Sequence, residues 1–348
     1  MAYLGDHSIM VDLSQVDEGG LEDVLSEPAA GTREALAQVP GDVAILGAGG
    51  KMGPTLAMMV KKAAPPKTVY AVSRFGDKSV RDRIAAKGIA IVEADLLDES
   101  AYARLPDVPN VFFLAGMKFG ATGNQPLTWA MNAYVPALVA RQYNRSRIVA
   151  LSTGNVYAFV DPRSGGAKED DVPGPVGEYA QSCLARERVF EYFSGCFGTP
   201  VTLIRLNYAN EPRYGILVDL TLRILHDEPI DLRMGAVNLI WQGDANNCIL
   251  RALSIAASPP AILNVTGPEI LMVRSVAQRI GLVLGKEPRF TGREAPTALL
   301  SNASKCVERF GGPAVGLDDM IATIVTWIGA GKRVLNKPTK YDVRDGRF

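Results

Sequence analysis

Histidine is almost missing from this chain: only His7 and His226 occur among its 348 residues. Two imidazoles leave little material for a histidine-based metal centre or a serine-hydrolase triad, so acid–base chemistry falls to other side chains. Cysteine is nearly as scarce. Cys183, Cys196, Cys248 and Cys306 are widely spaced, with no CxxC pair, a pattern of reduced thiols rather than disulfides or a zinc site. Net charge is absent as well, since 37 Lys and Arg balance 37 Asp and Glu. No global field therefore favours nucleic acid or an anionic membrane. No apolar run reaches the ~20 residues that a membrane-spanning helix needs. The opening MAYLGDHSIMVDL has neither a basic start nor a sustained apolar stretch. These absences predict a cytoplasmic protein with no metal, no nucleic-acid partner and no membrane partner.

What is present is a hydrophobic fraction of 47% with 21% charged residues, enough apolar material for a large core or two coupled lobes. The most informative segment is GDVAILGAGGKMG, from Gly41 to Gly53. A short apolar run, Val43 to Leu46, enters a glycine-rich turn that opens a helix. Gly47 suits the tight turn, Gly50 a close backbone approach to a pyrophosphate, and Gly53 close packing of helix on strand. Lys51 and Met52 complete the loop, whose helix N-terminus would face the phosphates.

Strand and helix signals then alternate. Strands are expected at 43–47, 68–72, 89–93, 111–115, 147–151 and 201–205, with helices at 52–63, 78–87, 127–143 and 179–193 and a short one after Asp98. This βαβ series predicts an α/β, Rossmann-type doubly wound parallel sheet, with ligand at the carboxyl ends of its strands. Beyond 206 the alternation loosens at Pro212, Pro229, Pro259 and Pro260, which predicts a smaller C-terminal substrate lobe. The division is an acidic N-terminal extension (1–40), a dinucleotide-binding domain (41–206), a mainly substrate-binding lobe (207–330) with strands returning to the sheet, and a basic tail (331–348). Contact between the oppositely charged ends is a further expectation.

Several side chains at the strand ends carry chemistry. The second strand ends in Ser73 and Arg74, where an NAD-preferring site usually has an acidic residue, and a hydroxyl beside a guanidinium suits a 2′-phosphate. This favours NADP over NAD. Asp95 and Leu96 follow the third strand, the carboxylate serving either an adenine amino group or as a helix cap. Leu114, Ala115 and Gly116 close the fourth strand with little bulk, and Lys118 follows in a loop that borders the pyrophosphate and nicotinamide ribose. The fifth strand ends in Ser152 and Thr153, and Tyr179 stands near the start of the next helix. A hydroxyl and a phenol converging on one substrate oxygen can move its proton while a hydride moves to or from a nicotinamide ring.

With GAGGKMG, the pair Asp95–Leu96, LAG at 114–116, Asn132 before a long helix, STGNVY, Tyr179, IRLNYAN, Asp244 and SNASK at 301–305, the chain resembles the extended short-chain dehydrogenase/reductases, the NAD-dependent epimerase/dehydratase family, over about residues 42–330. The stretch LAGMKFG with QPLTWAMN is most similar to the family's UDP-galactose 4-epimerases. The resemblance implies a homodimer through helices 127–143 and 179–193, and substrate contacts from Asn132, Asn155 and Asn207. It also exposes departures. Cys183 replaces the lysine of Tyr-x-x-x-Lys, an ammonium that in the family lowers the tyrosine pKa, each unit being worth ~1.4 kcal/mol. Lys118 is the nearest substitute in sequence order, and Cys183 itself is either an inert small residue or a thiolate. Gly154 and Asn155 stand where the dehydratases carry an acidic pair, which disfavours dehydration. Val237 replaces an arginine seven residues before Asp244, which disfavours a nucleotide sugar unless Arg233, Arg289 or Arg293 compensates. The expected function is thus an NAD(P)-dependent epimerase or oxidoreductase of a free sugar, sugar acid or polyol. The alternative is a dinucleotide-binding sensor or scaffold that has lost catalysis.

Overall fold

Apolar runs of four to seven residues, each delivered by a turn, assemble into one seven-stranded sheet in this computed structural model, which describes residues 13, 15–118 and 123–347. The strands are β1 (Val43–Leu46), β2 (Val69–Ser73), β3 (Ala90–Glu93), β4 (Asn110–Phe113), β5 (Arg147–Thr153), β6 (Val201–Leu206) and β7 (Ala261–Val265). Their order is β3-β2-β1-β4-β5-β6-β7, and every pairing is parallel. Helices α1 (Glu18–Leu25) and α2 (Ala30–Gln38) precede the sheet. Then α3 (Gly53–Ala63) follows β1, α4 (Lys78–Ala86) follows β2, α5 (125–142) precedes β5, and α6 (Gly177–Phe197) joins β5 to β6. Because helices cover both faces, the residues of β1 and β4 are buried throughout and their sequences, VAIL and NVFF, need no polar alternation.

The chain leaves β1 toward β2 on one side and reaches β4 on the other, so a crevice opens between the carboxyl ends of β1 and β4. Gly47 stands at its edge with φ +91°, and a Cβ there would lie 2.6 Å from the amide nitrogen of Ala115. A Cβ on Gly53 would lie 2.4 Å from the Ala48 carbonyl oxygen, so α3 touches the end of β1 only because this position is bare. Gly53→Ala is therefore expected to displace α3 and destabilise the fold by ~1–3 kcal/mol, read as a lowered denaturation midpoint.

Helix α5 departs from the continuous helix expected at 127–143: a π turn occupies Ala130–Tyr134. Pro136 accounts for it, since its ring nitrogen cannot donate to the carbonyl of Asn132 one turn back. Helix α6 is longer than expected at both ends and stops at Gly198, whose φ of +70° supplies the left-handed cap.

The second lobe holds α7 (Ile216–Leu225), α9 (Val273–Leu284), α11 (Leu317–Gly329) and two-residue β ladders such as Ala236–Val237 with Leu271–Met272. Part of residues 207–330 returns to the sheet. Strand β7, α8 (Gln242–Arg251) and α10 (Ser304–Phe310) pack with the sheet, Ile249, Leu263 and Cys306 joining the same buried cluster as Val43 and Ile45. The charged ends pack onto the body of the protein: Leu21, Leu25 and Tyr341 are buried in the core of the second lobe. Glu22 of α1 pairs with Arg83 of α4 at 3.0 Å and Arg213 at 3.2 Å, tying the lobes together. Glu18 meets Arg333 at 3.3 Å, an exposed pair worth little by itself.

Candidate functional site

Two clefts meet above the carboxyl ends of the sheet, sharing Gly47, Gly50 and Leu114. The outer cleft is lined by Ser73, Arg74, Asp95, Leu96, Ala115 and Gly116 among others. Arg74 and Asp95 approach each other at 3.7 Å, both well exposed, and Asp95 also accepts from the Leu97 amide at 3.0 Å. Both the loose ion pair and the capping bond leave carboxylate and guanidinium at the rim. At the junction, a Cβ on Gly50 would have only the Gly47 carbonyl oxygen, 3.2 Å away, as neighbour and would otherwise project into open space. Gly116 is confined for a different reason: a Cβ there would lie 2.3 Å from Nη2 of Arg186 and 3.0 Å from Oδ1 of Asn132. Its smallness makes room for a buried guanidinium as well as for a ligand.

The inner cleft is lined by Lys51, Met52, Gly53, Lys118, Ser152, Thr153, Asn155, Tyr179 and Asn207, together with residues of the second lobe. Thr153 ends β5 and Tyr179 lies in the first turn of α6, so sheet and helix bring the two oxygens together. The Asn155 amide nitrogen and Nδ2 both donate to Thr153 Oγ1, at 3.2 and 3.0 Å. Those bonds fill the hydroxyl's two acceptor sites, so its own proton is the one directed at Tyr179 Oη. Tyr179 Oη hydrogen-bonds with Thr153 and with the Cys183 thiol, completing a chain from Asn155 through Thr153 and Tyr179 to Cys183. Burial drives the Tyr179 pKa well above the usual phenol value, the neighbouring thiol adding to the rise and Arg186 opposing it. Tyr179 is thus a neutral phenol with a proton to give. Cys183 is 1% exposed and its thiol pKa is raised by burial, which makes it a packing residue rather than a thiolate.

Three cations stand around the inner cleft, two of them near this phenol. Lys118 Nζ lies 5.9 Å from the centroid of the Tyr179 ring, and burial lowers its pKa to about 8. Lys51 leaves the glycine loop but turns toward the second lobe, donating to the Ala209 carbonyl at 2.6 Å and lying 4.5 Å from the centre of the Tyr214 ring. The third cation, Arg186, was not singled out from the sequence. It stands one helical turn beyond Cys183 on the same face of α6, a spacing that could have revealed it. Its partners are neutral: Nη1 donates to the Leu151 carbonyl at 2.6 Å, Nη2 to Asn132 Oδ1 at 2.7 Å, and Nε is buried without a partner among the described residues. Its charge lowers the pKa of both Tyr179 and Cys183. Cys183→Lys would place a second buried cation beside this one in a site without room for it. That variant is expected to melt at a lower temperature and to gain no activity, in a thermal melt paired with a turnover assay.

Of the expected substrate residues, Asn155 and Asn207 line the inner cleft. Asn207 Nδ2 is buried and has no hydrogen-bond partner among the described residues, leaving a donor to offer. Asn132 does not reach the cleft. It is fully buried, donating to the Met117 carbonyl and Ser182 Oγ at 3.0 Å and accepting from the Met117 amide at 2.8 Å, so every polar atom is occupied in holding the 116–118 loop against α6. Arg233, Arg289 and Arg293 do not reach it either. Arg233 pairs with Asp231 at 2.7 Å and Arg289 donates to the Asp227 carbonyl at 3.3 Å. The sequence also gave no hint of Tyr208, Tyr214 and Thr339, which wall the far end of the cleft, because they come from an irregular loop and from the C-terminal segment.

The fold has counterparts among solved structures. MoeE5, in complex with UDP-glucose and NAD, superposes with a TM-score of 0.69 at 20% identity, covering 84% of this chain and 99% of that one. UDP-glucuronic acid 4-epimerase from Bacillus cereus, in complex with UDP-glucuronic acid and NAD, gives 0.70 at 18% identity, covering 83% and 99%. UDP-glucose 4-epimerase from Thermotoga maritima, with UDP-glucose, gives 0.69 at 16% identity with the same coverage. At such identities the likeness shows the fold. Comparison with curated proteins finds no match. The model of the NAD dependent epimerase/dehydratase family matches residues 43–221, more than half of the sequence and the whole span from the glycine loop through Tyr179, so the chain belongs to that family.

Proposed function

We propose that this protein is a nicotinamide-dependent epimerase or oxidoreductase acting on a carbohydrate carbinol or ketone, with Tyr179 as proton donor and Thr153 orienting the substrate oxygen. The observation that carries this reading is the bond between Thr153 and Tyr179 on the wall of the cleft into which the glycine turn opens. The junction fits a dinucleotide: Gly47 and Gly50 leave a pyrophosphate-sized approach to the start of α3, and Ser73, Arg74, Asp95 and Leu96 border the outer cleft. A nicotinamide dinucleotide bound across it supplies the acceptor and donor of hydride. Arg74 at the rim, in place of an acidic residue, supports NADP over NAD.

The protein's own side chains do the remaining work. Asn155 fixes Thr153, whose hydroxyl swings its hydrogen bond from Tyr179 Oη to the substrate oxygen and so orients it. Tyr179 donates a proton to that oxygen, and Lys118 and Arg186 stabilise the phenolate left behind, in the place of the ammonium that Cys183 cannot provide. Asn207 offers its unused Nδ2 to a substrate hydroxyl. The sugar nucleotides named for the neighbouring structures support a carbohydrate substrate. A free sugar, sugar acid or polyol is favoured over a nucleotide sugar, because Val237 is a buried strand residue and no arginine lines the inner cleft among the described residues. Leu127, Trp129, Tyr134, Tyr192 and Phe197 are exposed on α5 and α6, which supports pairing of two copies through those helices. Among the described residues no helix is long and apolar enough to cross a membrane, and the four cysteines are free; the reading places the protein in the cytoplasm.

Titration with NAD and NADP, followed by assays on sugars, sugar acids and polyols, tests this function. Turnover with at least one carbohydrate is the expected result. Cofactor binding without turnover of any of them would favour the sensor reading instead.

A further inference from the structure

The far end of the inner cleft carries more positive charge than a neutral polyol calls for. Lys51 and Lys118 both line it, and no Asp or Glu does among the described residues. The carboxylates nearby are already engaged. Glu211 accepts from Arg213 Nε at 3.1 Å, and Asp219 accepts from the Thr339 amide at 2.8 Å and from its hydroxyl at 2.6 Å. Burial lowers the Lys51 pKa to about 7, Glu211 opposing and Arg213 and Lys118 adding to the fall; burial likewise lowers that of Lys118 to about 8, Cys183 and Asp219 opposing and Lys340 adding. Two buried ammonium groups on a cleft wall without a carboxylate are costly to charge, and an anion between them would offset that cost.

The direction of Lys51 decides which anion this is. A pyrophosphate at the start of α3 would lie where Gly47 and Gly50 open the junction of the clefts. The Lys51 ammonium instead reaches Ala209 and the Tyr214 ring, on the side of the second lobe. We infer that the substrate is itself an anion, a carbohydrate without a nucleotide whose carboxylate or phosphate group sits between Lys51 and Lys118 and under Thr339. The inference rests on the carbohydrate reading above and narrows its substrate class.

The test is calorimetric titration of the cofactor-loaded protein with glucose, glucuronate, glucose 6-phosphate and UDP-glucose, and with their galacto counterparts. Glucuronate or glucose 6-phosphate, or the galacto form of either, is expected to bind about tenfold or more tightly than its neutral hexose. The tighter of the two anions identifies carboxylate or phosphate. In Lys51→Met that preference should collapse to within about threefold, and Lys51→Arg should keep most of it, the charge being retained. Equal affinity for neutral and anionic sugars would overturn the inference. So would binding of UDP-sugars alone, or a Lys51→Met variant whose cofactor affinity falls in step with its anion affinity. If the cofactor binds and no carbohydrate does, neutral or anionic, the carbohydrate reading fails and takes this inference with it.

Discussion

Tyr179→Phe is expected to lower turnover by ~10²–10⁴-fold while the protein still folds and binds its dinucleotide. The substitution removes one oxygen, the atom that bonds Thr153 and the Cys183 thiol, and leaves the ring beside Lys118 in place. Cofactor affinity, read by titration, should be nearly unchanged, because the turn proposed to take the phosphates lies at Gly47 and Gly50 rather than on α6. An unchanged turnover number would remove Tyr179 from the chemistry. The expectation is sharper because the phenol's pKa is raised: at neutral pH the group is almost wholly protonated, so the variant loses a donor that is always loaded. On the proposed function, the same rise would make the direction of catalysis asymmetric: proton donation to a ketone would be favoured, and abstraction from an alcohol would depend on Lys118 and Arg186 to stabilise the phenolate.

The largest expected loss of stability comes from Arg205→Ala. Arg205 on β6 pairs with Glu187 on α6 at 2.8 Å, both essentially inaccessible to solvent. Glu187 also accepts from Ser152 Oγ, and Arg205 donates to the Tyr157 hydroxyl at 2.8 Å. Removing the guanidinium would strand a carboxylate in the core, at a cost of ~3–5 kcal/mol, measurable in denaturant or thermal unfolding. Replacing both partners with apolar residues of similar volume, Glu187→Met with Arg205→Met, should recover much of that loss, since neither charge is then left without its partner. A double variant no more stable than Arg205→Ala would show that the surrounding hydroxyls, not the ion pair, set the cost. Ser152 precedes Thr153 directly, so this network also fixes the end of β5 that presents the Thr153 hydroxyl to the cleft.

The parallel sheet and the places of Gly47, Thr153 and Tyr179 were legible in sequence because each is a local pattern. An apolar run, a bare turn and a polar residue at a strand end carry their meaning within a few positions. The expected strands agree with β1–β6 to within one or two residues at each end. What the termini pack against was not legible: residues 1–40 and 331–348 were marked by their charge, while the burial of Leu21, Leu25 and Tyr341 depends on partners far away in the chain.

By itself the sequence determined the order of strands and helices, the glycine turn and the pairing of a strand-end hydroxyl with a helical phenol. Only the tertiary structure decided that Asn132 is a buried brace, that Cys183 is packed against the phenol, that Arg186 brings a cation to it, and that Lys51 turns from the glycine turn toward the second lobe. Local pattern reports backbone conformation, which is governed by neighbours in the chain. Charge, hydrogen-bond satisfaction and burial are governed by neighbours in space, and those exist only once the lobes have closed on each other.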